Sequence, residues 1–267
     1  MKMKNDRRSI RYKLVVSFLG VLLSAQALAQ SNEVSADKWE HSLAIYLWGA
    51  DIGGTTARGT GVNVEFSDIV DNLKMAFMGA YAARKGKWSI MTDALYLNVS
   101  ASKTLDLLPP IGGDIINVTT DAKLDLEGLV IHLAGGYNLV QNENSGLDFI
   151  FGARYLDLST DLDLNFDLGL GGPPLNVPLS ASGDALNAIV GLKGRLNLSE
   201  RWFIPYYVDV GAGDSDMTWQ ATAGITYRAG QKIDVALAYR HLEWDLDAAL
   251  TDDLNFSGPL LGVIFRW

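Results

Sequence analysis

Residues 147–155 carry the pattern that decides the fold, and they read Leu-Asp-Phe-Ile-Phe-Gly-Ala-Arg-Tyr. Every second residue from Leu147 to Tyr155 is apolar or aromatic, whereas the alternate positions include Asp148 and Arg154. Successive side chains of a β-strand point to opposite faces. The stretch therefore predicts a strand with one apolar face and one mixed face.

The same alternation recurs from about residue 40 to the last residue. Further strands are predicted over residues 129–137, 186–192, 202–211, 219–227, 232–240 and 261–267. A β-sandwich would also alternate, but in a membrane barrel the apolar face meets lipid and ends in aromatic girdles. Aromatic residues do end these apolar faces, namely Trp88, Tyr96, Tyr137, Tyr155, Trp202, Tyr227, Tyr239 and Trp267. Their placement favours a membrane barrel.

The lengths of the connections predict the topology. Four are tight and polar, at residues 85–87, 141–146, 197–201 and 229–231. Those on the other side fall at residues 51–73, 105–118, 168–178, 213–216 and 246–255. Short turns at one end and mostly longer loops at the other are typical of outer-membrane barrels. We expect an all-β, closed antiparallel transmembrane β-barrel of ten strands. Eight or twelve stay as alternatives, because residues 51–66 could form a hairpin.

The first 29 residues have the pattern of a signal peptide. A basic opening precedes a short apolar run and the small residues Ala27-Leu28-Ala29. We therefore expect export, and a barrel domain over residues 30–267. The leader holds six of the 22 Lys and Arg and one of the 31 Asp and Glu, which leaves 16 against 30 and a net charge of -14. Such a charge disfavours nucleic acid as a partner, and the absence of cysteine excludes disulfides and thiolate metal sites.

Two segments resemble known proteins. The closing residues Gly262-Val263-Ile264-Phe265-Arg266-Trp267 resemble the C-terminal signal of bacterial outer-membrane barrels. Residues 66–73 and 75–79 resemble a segment of uncharacterised proteobacterial outer-membrane barrels, distantly similar to OmpW-like and opacity-type small barrels. The resemblance implies a cell outer membrane location in a Gram-negative bacterium, contact with outer-membrane lipid and lipopolysaccharide, and recognition of the Trp267 strand by the barrel-assembly machinery. It implies no activity.

Candidate catalytic and metal-binding residues are few. The histidines are His41, His132 and His241. The spacing of Ser and Asp residues along the sequence does not indicate a hydrolytic site at any of them. Residues 161–167 alternate carboxylates as a calcium loop does, but Phe166 and Gly172 stand where that loop needs Gly and Glu. We expect no catalytic residue, no cofactor and no dedicated metal site. Loose divalent-cation contact, shared with lipopolysaccharide phosphates, stays open.

Charged residues alternate with the lipid-facing ones and are predicted to line the lumen. They are Arg84, Asp93, Asp148, Arg154, Lys193, Arg195, Asp209, Arg228, Asp234, Arg240 and Arg266. Unpaired buried charge is costly, so we expect a salt-bridged plug. An ion-selective pore is the alternative.

The polarity of the faces reverses along single strands. Beyond Tyr155 and Tyr239 the outer face becomes acidic, and the apolar residues turn inward. Strands should therefore rise above the bilayer and enclose an apolar crown. Its candidate lining residues are Leu156, Leu158, Leu162, Leu164, Leu242, Trp244 and Leu246. Either this crown is only a small hydrophobic core, or it is a pocket for small hydrophobic molecules.

The expected function is that of a non-enzymatic barrel, either structural or engaged in passive, porin-like transport or binding of small, hydrophobic solutes. One alternative is an adhesin or host-contact protein that uses the loops at residues 51–73 and 168–178. The other is a barrel hydrolase acting on lipid or peptide.

Overall fold

A computed structural model describes residues 38–56, 61–106, 119–167, 175–246 and 251–267. The expected signal peptide lies outside the described residues, as do parts of the predicted loops at residues 51–73, 105–118, 168–178 and 246–255. No helix in the described part is long and apolar enough to span a membrane.

Ten strands form a closed antiparallel barrel. They are β1 (Glu40–Trp48), β4 (Leu73–Lys85), β5 (Trp88–Asp106), β6 (Thr119–Gln141), β7 (Ser145–Asp167), β8 (Leu175–Asn197), β9 (Trp202–Gly213), β10 (Met217–Arg228), β11 (Ile233–Asp245) and β12 (Thr251–Arg266). Each pairs with its neighbour in sequence, and β1 closes the ring by pairing with both β4 and β12. The predicted ten-stranded barrel is confirmed.

Residues 51–71 hold structure that the sequence pattern placed in a loop. Strand β2 (Asp51–Thr56) pairs with the N-terminal part of β12, and β3 (Gly61–Val64) folds back on β2. Helix α1 (Phe66–Asp71) follows and leads into β4. The hairpin considered for residues 51–66 therefore exists, but it extends the sheet beyond β1 and does not add two strands to the closed ring.

The longest strands exceed what a bilayer requires. Strands β6, β7 and β8 each have 23 residues, whereas about 9–11 residues cross a membrane. Strand β8 begins at Leu175 and β12 at Thr251, inside the segments predicted as loops. The cause is ladder pairing with β7 and β11, which polar outward residues do not interrupt. The extensions stand at the end opposite the tight turns.

The outer face of the ring carries exposed apolar side chains. Leu47, Leu237 and Leu261 are all more than half exposed, a pattern that suits contact with lipid. Aromatic pairs lie at its turn end, including Trp88 with Tyr137 at 5.0 Å and Trp202 with Tyr227 at 4.7 Å between ring centroids. The barrel thus presents an apolar belt with an aromatic border.

The first tight turn depends on glycine. Gly86 joins β4 to β5 with φ at 57°, which lies in the left-handed region that glycine enters without a steric penalty.

Candidate functional site

An apolar cluster fills the barrel at the extended end, and we call it the crown cluster. Its buried members are Tyr46, Trp48, Ala50, Leu95, Val130, Leu156, Leu242, Trp244, Leu254 and Phe256. Six strands contribute these residues, namely β1, β5, β6, β7, β11 and β12, with Ala50 following β1. The cluster therefore spans the inside of the barrel.

The predicted crown residues meet the crown cluster where they are described. Leu156, Leu242 and Trp244 are members, and Leu158 and Leu246 pack against it half-buried. The side chains of Leu162 and Leu164 lie outside the described residues, although their backbone continues β7.

The sequence pattern missed other members of the cluster. Tyr46 and Trp48 belong to a strand whose two faces are both apolar, so period two does not tell which face points inward. Leu254 and Phe256 lie at or beside the segment predicted as a loop. The alternation Leu254, Phe256, Gly258 is the signal that could have found them, because it continues the inward face of β12.

Trp244 is a member of the crown cluster. Its side chain is fully buried and meets the ring of Phe256 edge-on at 6.0 Å. Its indole Nε1 has no hydrogen-bond partner among the described residues. By contrast, Nε1 of Trp48 donates to the carbonyl of Gly258 at 3.2 Å. The indole of Trp244 therefore keeps an unused donor inside the cluster.

Two ion pairs lie beneath the crown cluster. Arg154 Nη2 lies 2.5 Å from Asp209 Oδ2, and Arg240 Nη1 lies 3.1 Å from Asp93 Oδ1. Gln220 Oε1 accepts from both guanidinium groups, at 3.3 Å and 2.9 Å. We call these five residues the ion-pair layer. Because they come from β5, β7, β9, β10 and β11, the layer spans the lumen.

The crown cluster and the ion-pair layer are in contact. The guanidinium of Arg240 lies 4.6 Å from the centroid of the Trp48 ring, and that of Arg154 lies 5.9 Å from Trp244. Tyr46 joins both regions, since its hydroxyl donates to Asp93 at 2.7 Å. The crown cluster is therefore in direct contact with the charged side chains of the ion-pair layer.

The lumen charges are only partly paired at the turn end. Arg84 pairs with Asp148, and Arg266 pairs with Asp234 at 2.7 Å. Among the described residues, the predicted lumen cations that form no ion pair are Lys193, Arg195 and Arg228. The expectation that all lumen charges pair is therefore wrong for these three. The physical reason is that the predicted lumen residues include seven cations but only four carboxylates, so not every cation can have a partner.

A cavity of about 230 Å³ borders the turn-end side of the ion-pair layer. Asp93, His132, Lys193 and Tyr207 contribute its polar lining. His132 Nε2 lies 3.3 Å from the hydroxyl of Tyr207, which donates to Asp209 at 2.5 Å. His132 therefore belongs to the network of the ion-pair layer.

The other two histidines lie on the outside of the barrel. His41 Nδ1 is 2.7 Å from the Tyr81 hydroxyl, and its ring stacks on Trp267 at 5.7 Å. His241 contacts Ser257 and Glu243. Within the described ranges, no group of three or more His, Asp or Glu side chains could hold a metal ion.

The outer face of the crown is polar. Asp125 accepts from Lys74 at 3.0 Å and from Lys123 at 2.6 Å. Hydrogen bonds from Lys123, Ser100 and Lys74 hold the pKa of the Asp125 carboxyl well below its ordinary value. The outer face of the crown therefore carries charged side chains that suit exposure to water, as the reversal of polarity predicts.

Comparison with known proteins shows no family for this chain. No family model and no curated protein matches the chain. Solved structures similar to the chain include the outer membrane protease OmpT from Escherichia coli, at 10% identity and a TM-score of 0.47 over 89% of this chain and 99% of that one. The translocator domain of the autotransporter NalP from Neisseria meningitidis has 15% identity and a TM-score of 0.42 over 97% and 96%.

A third similar structure is the CymD monoaromatic hydrocarbon channel, at 11% identity and a TM-score of 0.36 over 86% of this chain and 88% of that one. These likenesses, all under a TM-score of 0.5, carry no argument about activity. The chain forms a closed β-barrel with an apolar outer face, and its own residues are what point to a function.

Proposed function

We propose that this chain is an outer-membrane protein that binds small apolar molecules in its crown cluster and does not conduct solutes through its lumen. The observation that carries the proposal is the buried indole N–H of Trp244, which has no acceptor among the described residues and lies inside an otherwise apolar cluster.

The position of the cluster supports a binding role. Ligand sites are mostly apolar with a few polar groups, and the mouths of barrels are among their usual places. The crown cluster lies at the extended end, opposite the tight turns, and its outer face is polar. A solute that reaches the cell from outside would meet this end first.

The chemistry of Trp244 supports a ligand with an acceptor. A buried donor without a partner costs about 1–3 kcal/mol. A purely structural core would avoid that cost with a phenylalanine at the same position. A small apolar ligand with one carbonyl, ether or hydroxyl oxygen would accept the indole proton and remove the cost.

The ion-pair layer supports binding of a solute in the crown cluster rather than passage of the solute through the lumen. A solute that crossed the lumen would have to separate Arg154 from Asp209, and both side chains are fully buried. Breaking a buried pair leaves an uncompensated charge and costs about 3–5 kcal/mol. A ligand in the crown cluster would therefore stop at this layer.

The test uses the fluorescent ketone prodan, which is small and apolar and has a carbonyl acceptor. We expect the full-length protein in detergent micelles to bind it saturably. Trp244→Phe keeps most of the volume and removes the donor, so the affinity should fall about 5- to 150-fold, the equivalent of 1–3 kcal/mol. Trp244→Asp is unsuitable, because it would place a carboxylate in a fully buried site.

Trp219→Phe is the matched control, because Trp219 lies on the outer face of the neighbouring strand β10 and hydrogen-bonds Glu243. It should leave prodan affinity unchanged. The proposal would be contradicted if prodan partitioned equally into empty micelles and micelles that contain the protein. It would also be contradicted if Trp244→Phe bound prodan as tightly as the native protein does.

A further inference from the structure

Three side chains on the outer face of β11 and β12 are connected in series by hydrogen bonds. Ser257 Oγ lies 2.5 Å from His241 Nδ1, and His241 Nε2 lies 3.1 Å from Glu243 Oε2. A hydroxyl, an imidazole and a carboxylate in this order are the parts of an activated serine nucleophile. We propose that Ser257, His241 and Glu243 form an esterase site that acts on acyl esters of the surrounding lipid leaflet.

Strand register brings the three residues together. His241 and Ser257 are directly opposed partners of β11 and β12. Glu243 is two positions beyond His241, so it lies on the same face of β11. The site is therefore fixed by the barrel ladder and needs no loop to position it.

One tautomer of the imidazole satisfies both contacts. An ionised Glu243 only accepts, so the imidazole must donate from Nε2, and neutral Nδ1 is then left as an acceptor. The hydroxyl of Ser257 donates to that bare nitrogen. This is the tautomer in which His241 can remove the proton of Ser257.

Trp219 holds the imidazole and the carboxylate in place. Its ring lies 4.4 Å from the ring of His241, and its Nε1 donates to Glu243 Oε2 at 3.1 Å. Glu243 thus acts as a positioning residue that accepts from both the imidazole and the indole. The indole and the carboxylate together limit rotation of the imidazole.

The depth of the site selects the class of substrate. Tyr239, two residues before His241, is more than half exposed on the lipid-facing belt. His241 and Glu243 begin the polar part of the same face, and their side chains are 25% and 34% exposed. The chain of three residues therefore lies where the apolar belt ends, which is the level of lipid headgroups and their ester carbonyls.

The reaction balances without a co-reactant other than water. Ser257 Oγ attacks the ester carbonyl, its proton passes to His241 Nδ1, and the same proton leaves with the alcohol when the ester C–O bond breaks. Water then attacks the acyl-serine and gives a proton to His241. The carboxylic acid departs, and the proton returns to Ser257.

The expected rate is low. Among the described residues, the hydrogen bonds around Ser257 include no donor aimed at a developing oxyanion. Loss of one such donor costs about 10²–10³ in kcat in enzymes that have one. We therefore expect slow turnover of activated esters and easier detection by a covalent probe.

The test is labelling of the full-length protein in micelles by a fluorophosphonate, which reacts with activated serines. We expect one adduct per chain, located on Ser257 by mass spectrometry of the native protein. Ser257→Ala and His241→Ala should lose labelling. Ser182→Ala, at an exposed serine on β8, should keep it.

Two further variants distinguish a catalytic chain of residues from a structural hydrogen-bond network. Glu243→Gln should slow labelling and move its pH profile, an effect that a merely structural carboxylate would not have. Glu127→Gln, the same change at a carboxylate on the outer face of β6 that accepts from Tyr96, should label normally. An unlabelled native protein, or an adduct on a residue other than Ser257, would overturn the proposal.

Discussion

Arg154 and Asp209 form an ion pair with both side chains fully shielded from solvent, and Nη2 and Oδ2 lie 2.5 Å apart. Arg154 also donates to Thr218 at 3.0 Å, and the hydroxyl of Tyr207 donates to Asp209. The pair joins β7 to β9 and forms half of the ion-pair layer. Most of the behaviour we expect of the barrel depends on this layer.

Removing the carboxylate should destabilise the barrel strongly. Asp209→Asn leaves Arg154 as an uncompensated buried charge, with an expected loss of about 3–5 kcal/mol in the free energy of unfolding. Denaturant titration followed by the heat-dependent shift in gel mobility would measure it. Asp157→Asn, at an exposed carboxylate on the outer face of β7, should change stability by less than about 0.5 kcal/mol. Equal stability of the two variants would show that the pair is not structural.

Two glycines of β8 should respond differently to alanine. A Cβ at Gly191 would overlap the carbonyl oxygen of Val208, whereas a Cβ at Gly183 would meet nothing within 4 Å. Gly191→Ala should therefore reduce the yield of assembled barrel, because β8 and β9 would have to separate. Gly183→Ala should assemble as the native chain does. Assembly yield in lipid vesicles checks both, and normal yield of Gly191→Ala would refute the close approach.

Helix α1 should be held in place mainly by Ile69. This side chain is 5% exposed and packs with Leu97 and Val99 of β5. Ile69→Ala should cost about 2 kcal/mol or more, which corresponds to at least about 30-fold faster amide exchange in residues 66–71 if exchange follows local opening. Val70→Ala, at a neighbour that is 48% exposed, should leave exchange unchanged. Similar exchange in both variants would mean that α1 is not docked through Ile69.

The charge cluster at Asp125 should tolerate acid. Its pKa is lower when folded than when unfolded, so its stabilising contribution is full above the unfolded value of about 3.9. That contribution is lost only as the pH falls through the lowered folded pKa. Unfolding midpoints of the native protein and Asp125→Asn should therefore differ by a constant, small amount from pH 8 to pH 5. A difference that vanishes within that range would contradict the assignment.

The regular part of the barrel could be predicted because lipid imposes a strict period of two. Leu147–Tyr155 shows this, since its outward positions are all apolar or aromatic, whereas its inward positions include Asp148 and Arg154. The pattern failed at residues 51–71, where the elements are short: β2 pairs with β12 and β3, and α1 packs on β5. Their positions depend on contacts such as Ile69 with Leu97, which are tertiary and leave no local period.

The candidate sites were predictable to different degrees. Inward apolar positions after Tyr155 and Tyr239 pointed to the crown cluster. The unused N–H of Trp244 and the partner of His241 are properties of three-dimensional packing. Ser257 lies 16 residues from His241 and meets it only through the register of β11 with β12, so no spacing rule along the chain could have paired them.

Conductance of the purified full-length protein in planar lipid bilayers tests the central claim most directly. The ion-pair layer and the crown cluster together should block the lumen, so we predict no stepwise current at moderate voltage and salt. Asp209→Asn, which opens half of the layer, should produce flickering steps where the native chain produces none. Stable single-channel steps from the native protein would show an open pore, and they would contradict a barrel that binds solutes without conducting them.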